Sequence, residues 1–174
     1  MGMYTGLRCK VYVKEPYRPY IKALMNREKT WQDIAQDLKF IAPFAELERA
    51  DMIPFGALAY MPDEWEDVPL MIDGTRDWKN AKATDGFERQ FDEKTGYWAF
   101  QCSLKNYDDE IEAFFDHVLS HIVDWVEHLE KYYEEWIYSM QYDLVDGFIR
   151  LINSKFMKYG YDEEDFPDFW RKWS

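Results

Sequence analysis

The sequence predicts an α+β fold: one domain with a mostly antiparallel sheet, a long acidic helix and shorter helices on one face. Three observations support this prediction. Strand-like segments follow one another closely along the chain, which favours antiparallel pairing. Apolar residues recur at helical spacing between these segments. Finally, 174 residues with 47% hydrophobic and 19% aromatic side chains suffice for one buried core and exclude extensive disorder.

The N-terminal segment changes from strand to helical periodicity. Apolar and polar residues alternate over residues 4–14, which predicts a strand with one buried face. From about residue 20 to 44 the apolar residues recur at helical spacing. Thr30 is a suitable N-cap for the second helical stripe, and Pro43 is expected to end it.

The middle of the chain predicts strands and turns. Segment 50–61 is apolar and bounded by charged residues, which predicts a strand that Pro54 places at an edge or bulge. A loop rich in Asp, Pro and Gly is expected over residues 62–86. Segments 87–91 and 97–102 flank a short turn that ends in glycine, which predicts a β-hairpin.

A long amphipathic helix is predicted from Asn106, which is a suitable N-cap followed by three carboxylates. Its apolar stripe continues to Tyr132 at spacings of three and four residues. The stripe consists of Ile111, Phe115, Val118, Ile122, Trp125, Leu129 and Tyr132. A second hairpin, over 136–142 and 148–152 with Gly147 in its turn, is expected to complete the sheet.

We expect the domain to span residues 1–152, and residues 153–174 to form a C-terminal tail or short helix. Aromatic residues in this tail recur at spacings typical of a short amphipathic anchor. They are expected to bind either the chain's own domain, which is favoured, or a partner or second copy. The expected anchor residues are Phe166, Phe169, Trp170 and Trp173.

The charge of the chain is strongly negative and unevenly distributed. With 21 Lys+Arg against 34 Asp+Glu, the formal net charge is −13, which disfavours direct binding to nucleic-acid phosphates. Residues 106–146 hold twelve acidic side chains and a single lysine. A solvated helix face ordinarily mixes the two signs, because oppositely charged pairs stabilise it. The acidic face therefore serves either solubility or the binding of a basic partner.

The partner-binding interpretation is a DNA-mimic surface, in which carboxylates along one helix resemble duplex phosphates. Such a surface would occupy the basic groove of a nucleic-acid-binding protein and would bind it in a salt-dependent way. The residues expected to supply the charge are Asp109, Glu112, Asp116, Glu127, Glu130 and Glu134.

Histidines at helical spacing raise the alternative of a metal site. His117, His121, Asp124 and His128 would share one side of the predicted helix. However, the segment lacks the glutamate of an HExxH motif, and the outer two histidines are too far apart to share one ion. Boundary histidines paired with carboxylates are therefore favoured, and we expect no cofactor.

Cysteine content and hydropathy predict a compartment. Cys9 and Cys102 lie in predicted strands, and we expect them to be buried free thiols in a reducing environment. The sequence contains no apolar run of membrane-spanning length and no signal-peptide core. These observations predict a cytoplasmic protein.

Three stretches carry a resemblance to known proteins: MYTGLRCKVYVKEPYR, IPFGALAYMPDEWED and TDGFERQFDEKTGYWAFQCSLKNY. They resemble a group of small uncharacterised proteins carried by phages and prophages. The resemblance covers about residues 3–142 and brings no catalytic motif with it. It implies an accessory protein of a mobile element, a setting in which acidic proteins act as inhibitors of nucleic-acid-directed host defences.

The sequence therefore favours a non-enzymatic acidic inhibitor that blocks a nuclease, CRISPR or restriction-type partner inside the host cytoplasm. One alternative is an immunity or antitoxin protein, which would bind a toxin by the same physics. The other is an enzyme whose metal is bound by the helix histidines. Two features favour the inhibitor: the unpaired acidic charge and the lack of short catalytic motifs.

Overall fold

A six-stranded antiparallel sheet organises residues 3–157, which are the part of the chain that the computed structural model describes. Its strands are β1 (Thr5–Val13), β4 (Gln90–Phe91), β5 (Tyr97–Leu104), β6 (Val123–Tyr133), β7 (Tyr138–Val145) and β8 (Phe148–Phe156). They lie side by side in the order β4-β5-β1-β6-β7-β8. A separate two-stranded sheet pairs β2 (Glu66–Asp67) with β3 (Lys82–Ala83). The predicted α+β fold class is confirmed.

The helices lie mainly in two parts of the described chain, before β2 and between β5 and β6. The first group contains α1 (Arg18–Met25), α2 (Trp31–Asp37), α3 (Ala42–Ala45) and α4 (Met52–Phe55). The second is one continuous run of α5 (Glu110–Phe114), a π-helical turn (Phe115–Leu119) and α6 (Ser120–Ile122). We call this run the 110–122 helix.

Local signals account for the first helical group. Thr30 caps α2 as predicted, and Asp33 completes a reciprocal capping box with it. Pro43, however, lies in the first turn of α3, where its missing N–H is tolerated, so the prediction that it ends a helix was wrong.

The strand predicted over 50–61 was also wrong. The backbone turns back on itself there, and Ile53 donates its N–H to the Ala50 carbonyl. Ile53 lies within helix α4, and after this helix Ala57 forms only an isolated bridge with Ser103 of the sheet. The apolar character of this segment reflects burial, because Ala50 and Ile53 lie in the same core cluster as Trp31 of α2. Trp31 Nε1 also donates to the Ile53 carbonyl at 2.6 Å.

Both predicted hairpins are confirmed. Gly96 closes the β4–β5 turn at φ +81°, a conformation that favours glycine. The β7–β8 turn has Asp146 and Gly147 at φ +53° and +83°, as a type I′ turn requires. Strand β8 continues to Phe156, past the domain boundary expected at residue 152.

The prediction of one long helix was wrong beyond Ile122. The helix ends there, and strand β6 begins at the next residue. Two register shifts in the β1–β6 pairing leave one residue of β6 unpaired at each, Asp124 and Glu127. Each such β-bulge adds one residue between neighbours on the same face. Buried Val123, Val126 and Leu129 therefore recur every three residues, which resembles a helical stripe.

The core lies between the sheet and the helices. Strand β1 directs Leu7, Cys9, Val11 and Val13 into it, all fully buried. Facing them are large rings from the helices and β5: Trp31, Phe44, Trp98, Phe100 and Phe114. We call this the helix side of the sheet. No helix in residues 3–157 combines the length and apolar character needed to cross a bilayer.

Candidate functional site

The opposite face of the sheet is built from the alternate residues of the same strands. Arg8, Lys10 and Tyr12 of β1 point away from the helix side, between the residues that form the core. Their neighbours across the sheet follow from the register of β1 with β5 and β6. The resulting rows are Gln101–Arg8–Glu130, Ala99–Lys10–His128 and Tyr97–Tyr12–Trp125.

A flap, residues 62–87, covers the first two of these rows, and we call this face the flap side. Trp65 and Phe87 of the flap lie over Arg8, with its guanidinium carbon 4.7 and 4.3 Å from their ring centroids. Gly6 allows this close approach, because a Cβ there would collide with the side chains of Met61 and Trp65.

Arg8 is the centre of a polar network and is only 4% exposed. Its Nε donates to Gln101 Oε1 at 2.8 Å, within the sheet. One terminal nitrogen donates to the Trp65 carbonyl at 2.9 Å and to Thr84 Oγ1 at 2.6 Å, both in the flap. The other lies 3.4 Å from Asp85 Oδ2. The guanidinium therefore uses its fixed fork of donors to join flap and sheet.

Glu130 is a second buried charge of this network, at 4% exposure. One carboxylate oxygen hydrogen-bonds with His128 Nε2 at 2.8 Å, and the other accepts from Ser139 Oγ. Burial alone would raise the pKa of Glu130, but the bonds from His128 and Ser139 and the charge of Arg8 lower it overall. Glu130 is therefore a carboxylate that the fold holds ionised.

Glu66 of β2 is the least satisfied polar group of the site. It is 6% exposed, and its Oε1 accepts from Gln101 Nε2 at 3.3 Å. Its Oε2 is buried and has no hydrogen-bond partner within residues 3–157. Burial raises the pKa of Glu66 to about 7, against the opposing effect of Arg8. This carboxyl therefore titrates in the neutral range.

Beyond the flap, the third row and the two bulge residues form a surface that we call the bulge patch: Tyr12, Tyr97, Asp124, Trp125 and Glu127. Tyr12 and Tyr97 are half-buried in it. The Tyr12 ring lies 5.1 Å from Trp125 and 5.3 Å from Tyr97. Trp125 is 54% exposed, although the predicted helical stripe would have buried it. Both bulge residues, Asp124 and Glu127, are exposed. Burial and the nearby Glu127 charge raise the pKa of Tyr97, which places that carboxylate beside the aromatic row.

The six carboxylates predicted to form one acidic helix face do not share a face. Three of them serve contacts within the protein. Glu112 forms an ion pair with Lys131 at 3.1 Å, and Glu134 accepts from the Tyr4 N–H at 2.7 Å. Glu130 is the buried group of the Arg8 network. The single-face prediction failed because the helix on which it depended ends at Ile122.

The other three predicted carboxylates are exposed but lie on different elements. Asp109 precedes α5 with φ +58°, and Asp116 lies in the π-helical turn. Glu127 belongs to the bulge patch. Their role in partner binding stays a prediction. Of the three, Glu127 is the one that lies beside the aromatic row of the bulge patch.

The predicted histidine stripe is divided between two elements. His117 and His121 lie in the 110–122 helix, whereas Asp124 and His128 lie in β6. The His121 ring contacts that of Phe40 with their centroids 4.6 Å apart, and His128 is paired with Glu130. Over the described residues, no three His, Cys, Asp or Glu side chains are grouped so that they could bind a metal.

Cys9 and Cys102 are free and buried, as predicted. Burial raises the pKa of both thiols, that of Cys102 to about 12, so neither is a reactive thiolate. The tail anchors predicted at Phe166, Phe169, Trp170 and Trp173 lie outside the described residues.

Sequence reasoning missed Arg8, Gln101 and Glu66. Arg8 was expected on the solvent-exposed face of an alternating strand, and Glu66 lay in a segment expected to be a loop. No local pattern indicates that the flap, more than fifty residues further along the chain, covers Arg8.

No protein-family model matches the chain, and comparison with curated proteins and with solved structures finds no significant match. The resemblance to phage-borne proteins therefore stays a prediction. The chemistry of the chain's own residues is the basis for a functional proposal.

Proposed function

We propose that the protein is a non-enzymatic binding protein that engages a basic partner through the bulge patch. The observation that carries this proposal is the pair of β-bulges in β6. They leave Asp124 and Glu127 unpaired and exposed on either side of Trp125, which itself is 54% exposed. Bulges commonly redirect side chains at functional sites.

Carboxylates beside exposed aromatic rings favour arginine over lysine in the partner. A guanidinium stacks on an aromatic face and donates hydrogen bonds to carboxylates from its edge. The interior of this protein contains the same combination, since Arg8 lies between Trp65 and Phe87 and contacts Asp85. The bulge patch presents the aromatic and acidic half of such an arrangement at the surface.

The net charge of −13 supports a partner that is itself a nucleic-acid-binding protein. Long-range attraction would steer the two proteins together, and occupation of the basic groove would exclude its nucleic acid. The resemblance to phage and prophage proteins supports a host-defence enzyme, such as a nuclease, as that partner. The proposed mode of action is competitive occlusion.

The experiment uses an oligoarginine peptide and an oligolysine peptide of equal length as probes, with binding measured by fluorescence anisotropy. We expect wild-type protein to bind oligoarginine more tightly than oligolysine. The D124K/E127K variant should lose about tenfold in affinity for oligoarginine. Raising the salt concentration to about 0.2 M should weaken wild-type binding, because exposed charges are screened.

The matched control is E28K/E46K, which changes the net charge equally at exposed sites just after α1 and α3. It should bind oligoarginine nearly as well as wild-type protein. An equal loss in both variants would show that net charge alone governs binding and would overturn the proposal. W125A separates the aromatic contribution, and it should reduce the preference for arginine over lysine.

A further inference from the structure

The flap is attached to the sheet through side chains. Within residues 3–157, the backbone hydrogen bonds of the flap connect flap residues to one another, as in the bond from Thr84 N–H to the Trp65 carbonyl. Its hydrogen bonds to the sheet come from Arg8, Lys10 and Gln101. A cover attached in this way can separate without breaking the main sheet.

Glu66 lies at the contact between flap and sheet. On the sheet side it faces Arg8 and Gln101, and within the flap it faces Asp63 and Arg76. The other charged groups between flap and sheet have partners of their own. Asp85 lies on the Arg8 guanidinium, Lys10 donates to the Asp85 carbonyl, and His128 pairs with Glu130 and contacts the Phe87 ring. At the edge of the flap, Glu64 pairs with Lys155 of β8. Glu66 is thus the one carboxyl of the described cluster that is buried with an unpartnered oxygen.

We propose that the flap is a proton-controlled cover over Arg8, closed when the Glu66 carboxyl is neutral and opened by loss of its proton to solvent. A neutral carboxyl is cheaper to bury than a carboxylate with an unsatisfied oxygen. Opening transfers Glu66 to water and uncovers Arg8 together with the rings of Trp65 and Phe87. This inference is independent of the proposed function of the bulge patch.

The direction of the pH effect follows from linkage. The pKa of Glu66 is about 7 with the flap closed and returns towards its ordinary value of 4.5 when the carboxyl is hydrated. Because the pKa is raised in the closed state, the stabilisation of the closed flap is complete below pH 4.5. It is lost as pH rises through 7. The ratio of open to closed flap should rise by about tenfold between pH 6 and pH 8.

The test is amide hydrogen exchange on the full chain at several pH values, corrected for the intrinsic exchange rate. The amides of Ala83 and Thr84 are bonded within the flap, and a two-stranded sheet is only marginally stable once it leaves the main sheet, so their exchange reports opening. They are compared with amides of the β1–β5 ladder. Between pH 6 and pH 8, flap opening should increase about tenfold in wild-type protein, while the β1–β5 ladder stays protected. E66Q mimics the neutral carboxyl and should abolish this pH dependence.

The matched control is D67N, because Asp67 is the exposed neighbour of Glu66 in the same strand. It should keep the pH dependence of wild-type protein. A pH-independent flap in wild-type protein, or persistent pH dependence in E66Q, would overturn the proposal. If E66Q fails to fold, a carboxyl-carbon NMR titration of wild-type Glu66 decides, and a midpoint near its ordinary value would also overturn it.

Discussion

The two faces of the sheet are stabilised in different ways. On the helix side, large rings contact one another without a charge between them, as where Trp31 meets Phe44 and Phe114 at 5.4 and 6.0 Å. On the flap side, one guanidinium forms most of the hydrogen bonds that join cover and sheet. Stability on the helix side is thus distributed, whereas on the flap side it is concentrated in Arg8.

The two faces of one domain therefore depend on different kinds of interaction. Dispersion and hydrophobic burial on the helix side have no strict geometry, so many contacts contribute and the face unfolds as a unit. The flap side depends on directional bonds and on the protonation of buried groups. We therefore expect local opening to be a property of the flap side.

The largest expected effect is that of Phe114→Ala, on the helix side. Phe114 is fully buried among Trp31, Phe44 and Trp98, so its removal leaves a cavity. The free energy of unfolding should fall by about 4 kcal/mol in urea denaturation. Ile72→Ala, at a fully exposed flap position, is the control and should change it little. Opening of the segment around Phe114 alone, with the rest of the helix side still protected, would contradict the view that this face unfolds as a unit.

The next effect is that of Arg8→Met, which retains an apolar stem and removes the guanidinium. Flap closure should weaken by about 3 kcal/mol, because charged hydrogen bonds are lost and Glu130 loses the stabilising charge of Arg8. Hydrogen exchange should show faster flap amides with the β1–β5 ladder still protected. Arg76→Met is the control, since Arg76 is a flap arginine whose ion pair with Asp63 is exposed. Equal loss of protection in flap and ladder would show that Arg8 supports the whole domain.

The smallest effect is that of Ser139→Ala, which removes one hydrogen bond to Glu130. The free energy of unfolding should fall by about 1 kcal/mol near neutral pH. The lowered pKa of Glu130 gives stability that is present above its unfolded pKa and lost as pH falls through the folded value. The variant should therefore show a weaker decline of stability in acid. Asn153→Ala, at an exposed position of β8, should leave that decline unchanged.

Much of the fold could be predicted because its signals are local. Strand β1 shows simple alternation, and both hairpins have glycine in their turns. The capping box of Thr30 and Asp33 is likewise contained within four residues. Such features need no knowledge of distant parts of the chain.

The failures have a common physical cause. In β6, two bulges change the spacing of buried residues from two to three, and only the pairing with β1 reveals them. Arg8 is polar in an alternating strand, and its burial depends on Trp65 and Phe87 from the flap. Both cases depend on contacts between segments far apart in sequence. The candidate site could therefore be predicted only in part, as exposed carboxylates such as Glu127.

The direct passage from Ile122 in the helix to Val123 in β6 has a consequence for how this sequence can evolve. With no loop between the two elements, an inserted or deleted residue has no segment to absorb it. Deletion of one residue would shift the register of β6 and place Asp124 where Val123 now packs. Changes in chain length should therefore be rare at this junction among descendants of the gene and frequent in the exposed turn around Gly74.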